Sequence, residues 1–495
     1  GALRATYPSK MTASPRRMAC LLVCMLAFAA VEACLTPQGL TSNINGLFAN
    51  NAAVLRTTPG VYIQQRNETD RTWVDLFKLR HEEYHTPASN NKVLTTAAII
   101  TALGPHHVIK TPVTGVVSGG NVAKLCITGK GDPSMTPARL EAMVQHLAAQ
   151  GVSSVENIVL DDSFFQPDFP DGWEWGDLPY YYGASPSSFI LDENVITVSV
   201  SPGSSVGAPL QVTFSHAADT RSALINTAGS TTTAAGTSPT VDVSWRVGKS
   251  VYFVIGSLPL GSAPVSMQMA VFDPTARFSY MLEYYMAKSG LSTASPLRGQ
   301  CAENSPGSFP PASALLHTFV SDSLGNMVNH TLQVSDNLMA EVWSRTLGAM
   351  SKGDGSAPQK GISAVSQILG QLGVSPSSFR QRDGSGLDSA NLVSPWALLN
   401  TVKAMGQGGY ASQYKSYLPN SFPGGELYSR YVGTPAVGRV FAKTGYISLV
   451  SSLSGWVDDN KLFSILLDQS PTPSSTRKKL IDTIVLWIAD LCPLH

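Results

Sequence analysis

The sequence predicts an α+β protein in which an antiparallel sheet is covered by helices and a large β-rich insert interrupts the chain. Three observations lead there. From Arg439 onward the residues read strand, turn, strand and terminal helix; residues 93–103 are apolar on nearly every helical face; and from Thr111 the text changes to Gly, Ser, Thr and Val in alternating runs. At 495 residues and 43% apolar content the chain exceeds one hydrophobic core, so more than one compact unit is expected. Lys+Arg and Asp+Glu balance at 34 each and only 14% of residues are charged, which leaves no basic field for phosphates and excludes nucleic acid as a partner.

Taken in order, Arg16 and Arg17 precede an apolar run at 18–30, and Val31-Glu32-Ala33 offers small residues for a signal peptidase. Residues 1–33 are therefore expected to be an export signal with its upstream residues, and the mature chain to be secreted or periplasmic. That run is short for a membrane span, and no later stretch reaches about 18 uninterrupted apolar residues, so no transmembrane anchor is expected. Cys20 and Cys24 would leave with the signal. Cys34, Cys126, Cys301 and Cys492 remain, either as two disulfides in one of three connectivities or as buried thiols. Asn67-Glu68-Thr69 and Asn329-His330-Thr331 are glycosylation sequons, meaningful in a eukaryote.

Residues 34–110 form a first segment, in which Gly104-Pro105 closes the buried helix at 93–103 and Ser89 falls at its N-terminal turn. Residues 111–273 form the insert, with alternation at 195–200 and 241–247 and low complexity at 227–240. Residues 274–495 resume the first unit. Helical periodicity marks 274–289, 313–327 and 335–347, and Asp383-Gly384-Ser385-Gly386 is a turn. Strands at 449–457 and 462–467 flank the turn Asp458-Asp459-Asn460, and the last helix turns Leu480, Ile484, Trp487, Ile488 and Leu491 to one side.

Three short strings supply the parts of a lysine-assisted serine acyl-transfer site: Ser89-Asn90-Asn91-Lys92, Ser335-Asp336-Asn337 and Lys443-Thr444-Gly445. A serine hydroxyl is a poor nucleophile without a base, and a lysine one helical turn on reaches it from the same face. Lys92 must be neutral to serve, through burial or a second cation, for which Lys443 is the candidate. Each string alone is weak, because Ser412-Gln413-Tyr414-Lys415, Ser475-Thr476-Arg477-Lys478 and Ser389-Ala390-Asn391 match as well. Order and context separate them: Ser89 opens a buried helix and Lys443 lies on a strand.

With Gly129-Lys130-Gly131-Asp132-Pro133, Asp383-Gly384-Ser385-Gly386-Leu387, and the wider contexts Pro87 to Lys92 and Val334 to Glu341, five strings stand in one order. The chain from about Thr57 to its C-terminus thereby resembles the D-alanyl-D-alanine carboxypeptidase/endopeptidase family of low-molecular-mass class C penicillin-binding proteins, peptidase family S13. The separation of 246 residues from Ser89 to Ser335 matches the large insert that this family carries in its serine β-lactamase-like domain. The resemblance implies that Ser89 is the acylated nucleophile and Lys92 its base. Ser335 would relay a proton to the departing amine, Asn337 would hold the substrate amide and orient Lys92, and Lys443 would support Ser335. Thr444 would bind the terminal carboxylate, beside Gly445, and the N–H groups of Ser89 and Tyr446 would form an oxyanion hole. The implied substrates are peptidoglycan stem peptides ending in D-Ala-D-Ala, with β-lactams as inhibitors and no metal or organic cofactor. Tyr446 departs from the Thr or Ser common there, and 66–84 is longer and more charged than is usual ahead of the nucleophile.

Other readings stay open beside this one. His81-Glu82-Glu83-Tyr84-His85 spells a zinc-peptidase signature, although Thr86-Pro87 ends any helix directly after it. A non-catalytic peptidoglycan-binding scaffold, or an esterase or β-lactamase of the same fold, is a further alternative. His106-His107 reads as a turn. Asp161, Asp162, Asp168, Asp171 and Glu174, among Trp173, Trp175, Tyr180, Tyr181 and Tyr182, read as a loop over the cleft.

Overall fold

The structure is a computed structural model and describes residues 34–51, 56–245, 251–301 and 314–495. The expected export signal lies outside these residues. A five-stranded antiparallel sheet runs in the order Val440–Ile447, Val450–Val457, Lys461–Asp468, Thr58–Arg66, Trp73–Leu79. The C-terminal hairpin is the one read from sequence. The two N-terminal strands were not, because the outermost, Trp73–Leu79, is largely exposed and carries Asp75 and Lys78 as a surface ion pair, a composition suited to a sheet edge.

Val450–Val457 and Lys461–Asp468 are buried at every position, so both faces of the sheet need a covering layer. On one face Val440, Ala442, Leu453, Phe463 and Ile465 pack under the helices Pro37–Asn50 and Ser474–Ala489. On the other, Trp456, Leu462, Leu466 and Tyr62 meet the helices Asn91–Leu103 and Pro395–Met405. Every residue from Asn91 through Ile100 is buried, which accounts for a helix without a polar face. Gly104 ends it at φ +77, a backbone conformation that side chains disfavour.

The chain leaves along Lys110–Ser118 and comes back along Ala314–Val320, and these two strands are antiparallel neighbours. Their sheet also holds Asn121–Thr128 and Ile158–Asp161, and its core includes the helices Pro137–Ala149 and Pro274–Lys288. Two three-stranded sheets share a separate apolar core built on Val198, Val200, Val243, Tyr252 and Val254. Two expectations shift here. The helical periodicity at 313–327 gives way to the strand Ala314–Val320, whose Thr318, Phe319 and Val320 suit a pleated surface, and the helix starts only at Leu324, where the Ser323 hydroxyl accepts from Asn326 N. The insert therefore continues past residue 273, since Phe278, Met281, Leu282 and Met286 bury into its core.

Of the options open to the cysteines, the structure takes Cys34–Cys492, with Cα atoms 5.0 Å apart, and Cys126–Cys301, at 6.1 Å. The first joins the leading and trailing helices beside the parallel bridge of Leu35 to Leu491. Among the described residues no helix is long and apolar enough to cross a membrane. Non-reducing peptide mapping is expected to recover the Cys34 and Cys492 peptides joined. Cys34→Ser with Cys492→Ser should lower the melting temperature, by on the order of 2–4 kcal/mol of lost stability, while covalent reactivity at Ser89 persists.

Candidate active site

Ser89 occupies the short 3-10 turn Ala88–Asn90 that leads into the helix Asn91–Leu103. One turn on, Lys92 is fully buried. Its Nζ donates to Ser89 Oγ at 2.9 Å, to Asn337 Oδ1 at 2.6 Å and to Ser385 O at 2.9 Å, so each of three ammonium protons has an acceptor. Burial pushes the amine down to about 8, against the pull of Asp383, Asp336 and Glu341.

The edge strand Val440–Ile447 forms the opposite wall. Period-two alternation puts Lys443 and Gly445 on the face that meets the Ser89 turn. A Cβ on Gly445 would lie 2.2 Å from Ser452 Oγ and 2.6 Å from Pro87 O, so only glycine permits this approach. Ser452 clasps the turn from the neighbouring strand: its hydroxyl donates to Pro87 O at 2.7 Å and accepts from Asn90 Nδ2 at 2.6 Å. Lys443 is fully buried, its amine is pushed down to about 7 by burial and then by Lys92, and its Nζ donates to Thr444 Oγ1 at 3.4 Å.

Backbone direction along this strand follows from its outer partners. Ala442 N donates to Pro419 O at 2.8 Å, and Val440 O accepts from Ser421 N at 3.0 Å. Even-numbered residues thus present their peptide groups to the outer side, and beyond Asn420 the N–H groups of Thr444 and Tyr446 face the open edge. The Tyr446 ring lies on the other face of the sheet from Lys443, exposed, with Lys478 Nζ 5.6 Å from its centroid.

Ser335 forms the corner between the helices Leu324–Gln333 and Asn337–Met350, at φ +63. A side-chain-bearing residue held there stores backbone strain. Asp336 fixes the corner by accepting from Met339 N at 2.7 Å, and Asn337 follows with its Oδ1 on Lys92 and its Nδ2 donating to Tyr182 O at 2.9 Å.

The sequence marks the loop that begins at Asp383 as a turn that could border the site, but not the contacts through which it does so. Ser385 supplies a lysine acceptor, and Gly386, at φ +89, comes so near the Ser89 turn that a Cβ would sit 1.9 Å from Ala88 O. Glu341 carries the loop from below, accepting from Gly384 N at 2.7 Å and Ser385 N at 2.8 Å. Burial, then Asp383, pushes the Glu341 carboxyl up to about 8. The available signal was Asp and Glu spaced to lie near a buried lysine, but nothing in the text placed them together.

The zinc-peptidase reading does not survive the geometry. His81 and Glu82 form a turn and Glu83 a bend rather than a helix, and His85 pairs in a β-bridge with Val393. His85 is buried against Gly60, whereas the His81 ring lies 5.1 Å from Tyr62.

A family model described as the D-Ala-D-Ala carboxypeptidase 3 (S13) family matches residues 40–491. The chain is 32% identical over 404 residues to a D-alanyl-D-alanine carboxypeptidase of Actinomadura sp. (strain R39), covering 78% of this chain and 73% of that one. It is 26% identical over 468 residues to a penicillin-sensitive carboxypeptidase A of Dictyostelium discoideum, covering 89% and 88%. Penicillin binding protein 4 from Haemophilus influenzae superposes with a TM-score of 0.75 at 22% identity, covering 90% of this chain and 98% of its own. The fold is thus the one read from sequence.

Because Gly445 sets the distance between the edge strand and the Ser89 turn, Gly445→Ala should slow covalent labelling of Ser89 by about a hundredfold, with the circular dichroism spectrum retained.

Proposed function

The chain belongs to the D-Ala-D-Ala carboxypeptidase 3 (S13) family of serine hydrolases, and on that premise we propose how its residues divide the work. Ser89 Oγ attacks the carbonyl carbon of the penultimate D-alanine of a peptidoglycan stem peptide while its proton passes to Lys92. The N–H groups of Ser89 and Tyr446 receive the oxyanion. The C–N bond breaks as Lys92 passes that proton to Ser335 and Ser335 passes its own to the departing amine, which leaves Lys92 neutral; Lys92 then takes a proton from the attacking water and returns it to Ser89 Oγ as the ester is cleaved. Release of terminal D-alanine and cleavage of a cross-link are the same reaction with different leaving groups. A β-lactam enters by the same route and is retained as the ester. Family membership favours this over a zinc enzyme or a scaffold.

The observation that carries the assignment is the fully buried Lys92 amine 2.9 Å from Ser89 Oγ, at a proton affinity suited to a base near neutral pH. Lys92 and Lys443 are both depressed by burial, and the nearer their charges, the less both can stay protonated. The pair holds one proton between them in the working form. A substrate carboxylate bound beside Thr444 draws that proton to Lys443 and leaves Lys92 free to accept another. Asn337 keeps its carbonyl oxygen on Lys92 and retains one amide hydrogen for substrate, the other being on Tyr182 O. Two disulfides support a secreted or periplasmic setting.

The test is incubation with a fluorescent penicillin. A stable adduct is expected on the native protein and none on Ser89→Ala, and Lys92→Ala should slow acylation by about 10²–10⁴-fold. The acylation rate should rise with pH and level off once the pair has lost its first proton, between about 7 and about 8. Labelling that survives Ser89→Ala would reject the assignment.

A further inference from the structure

We propose that Trp173 is a positioning residue for Lys92, and that residues 172–183 of the insert act as a brace on both acceptors that hold this amine besides Ser89. The inference rests on the reading of Lys92 as the base. One acceptor, Ser385 O, belongs to the loop organised by Asp383. The Asp383 carboxylate is buried: its Oδ1 accepts from Gly386 N at 2.7 Å and Asn391 Nδ2 at 2.9 Å, and its Oδ2 from Asp388 N at 2.8 Å, Ser385 Oγ at 3.2 Å and Trp173 Nε1 at 3.0 Å. The indole N–H is thus the insert's own bond to that carboxylate.

The other acceptor is Asn337 Oδ1. A carboxamide can turn over, and besides Lys92 itself what fixes its sense here is the bond from Asn337 Nδ2 to Tyr182 O at the far end of the same segment. Between its two grips the segment is internally tied. Asp177 N donates to Glu174 O at 2.9 Å, Tyr182 Oη donates to Asp177 Oδ1 at 3.3 Å, and the rings of Tyr180 and Tyr182 stack 5.5 Å apart. Gly172 shows how closely the brace is seated, since a Cβ there would lie 2.0 Å from Asp388 Oδ2.

Removing the indole donor leaves a buried carboxylate oxygen with one partner fewer, and the loop bearing Ser385 O relaxes to compensate. Lys92 is faced by Ser89 on its own turn, by Asp336, Asn337 and Glu341 from the Asn337–Met350 helix and its cap, by Asp383 and Ser385 from the loop, and by Lys443 from the edge strand. Loosening the Ser385 carbonyl takes away an acceptor that favours the ammonium form, so Lys92 gives up its proton at lower pH. The same displacement spoils its approach to Ser89.

The experiment measures fluorescent-penicillin acylation of the full chain across pH, as a rate per Ser89 titrated by burst amplitude, so that unfolded molecules do not count. Trp173→Phe should slow acylation between about tenfold and a hundredfold, move the acid limb to lower pH, and leave the apparent affinity for the penicillin nearly unchanged. Gly172→Ala, which presses the same brace off Asp388 while keeping the indole, should give the same signature and serves if Trp173→Phe does not fold. An acid limb that stays in place, whether the rate falls or not, overturns the proposal. Absence of any burst on the native protein would instead overturn the reading of Ser89 and Lys92 on which it stands.

Discussion

A primary amine with no exposed surface is the constraint around which the rest of this molecule is arranged. Burying an ammonium group costs far more than burying a methyl group unless each proton finds an acceptor. Lys92 finds its three on a serine hydroxyl, a carboxamide and a peptide carbonyl. None of the three is a carboxylate. Had an aspartate taken one of those places, Coulomb attraction would have held the proton on nitrogen. The acidic groups Asp383, Asp336 and Glu341 are instead kept one layer back, where they order the acceptors and temper the effect of burial.

Much of this was legible because the chemistry needs particular residue types at particular spacings. Ser89 and Lys92 one turn apart, a helix with no polar face behind them, and a C-terminal hairpin carrying Lys443 could be read in order, and the structure brings Ser89, Lys92 and Asn337 into direct hydrogen bonding. What could not be read was any contact made through the backbone of a distant segment. Ser385 O and Tyr182 O are backbone atoms, and a carbonyl has no letter in the sequence. The strands Thr58–Arg66 and Trp73–Leu79 were hidden for another reason: the first is buried along nearly its whole length and the second is an exposed edge, so neither shows the simple alternation of a half-buried strand. The strand Ala314–Val320 reads as helix in isolation because its pairing depends on a partner some two hundred residues earlier in the chain, Lys110–Ser118.

The sheet divides its labour by parity. Lys443 and Gly445, at odd positions of its edge strand, look toward the Ser89 turn, while Val440 and Ala442 pack under the terminal helix and Tyr446 reaches solvent beside Lys478. Peptide groups follow a separate rule, since those of the even residues face the open edge where the Ser89 turn lies. A residue such as Tyr446 can therefore lend its N–H to one side of the molecule while its ring belongs to the other.

The way the insert is attached has a consequence for how such a protein can change. Because it departs and rejoins on adjacent strands, Lys110–Ser118 and Ala314–Val320, the span of chain between them is closed whatever its length. Lengthening a closed excursion adds only a logarithmic entropic cost. The hydrolase fold is thus indifferent to how much polypeptide is hung from that stem, and lineages are free to elaborate it into new shapes at the wall, provided a tryptophan and a backbone oxygen still arrive where Trp173 and Tyr182 now stand.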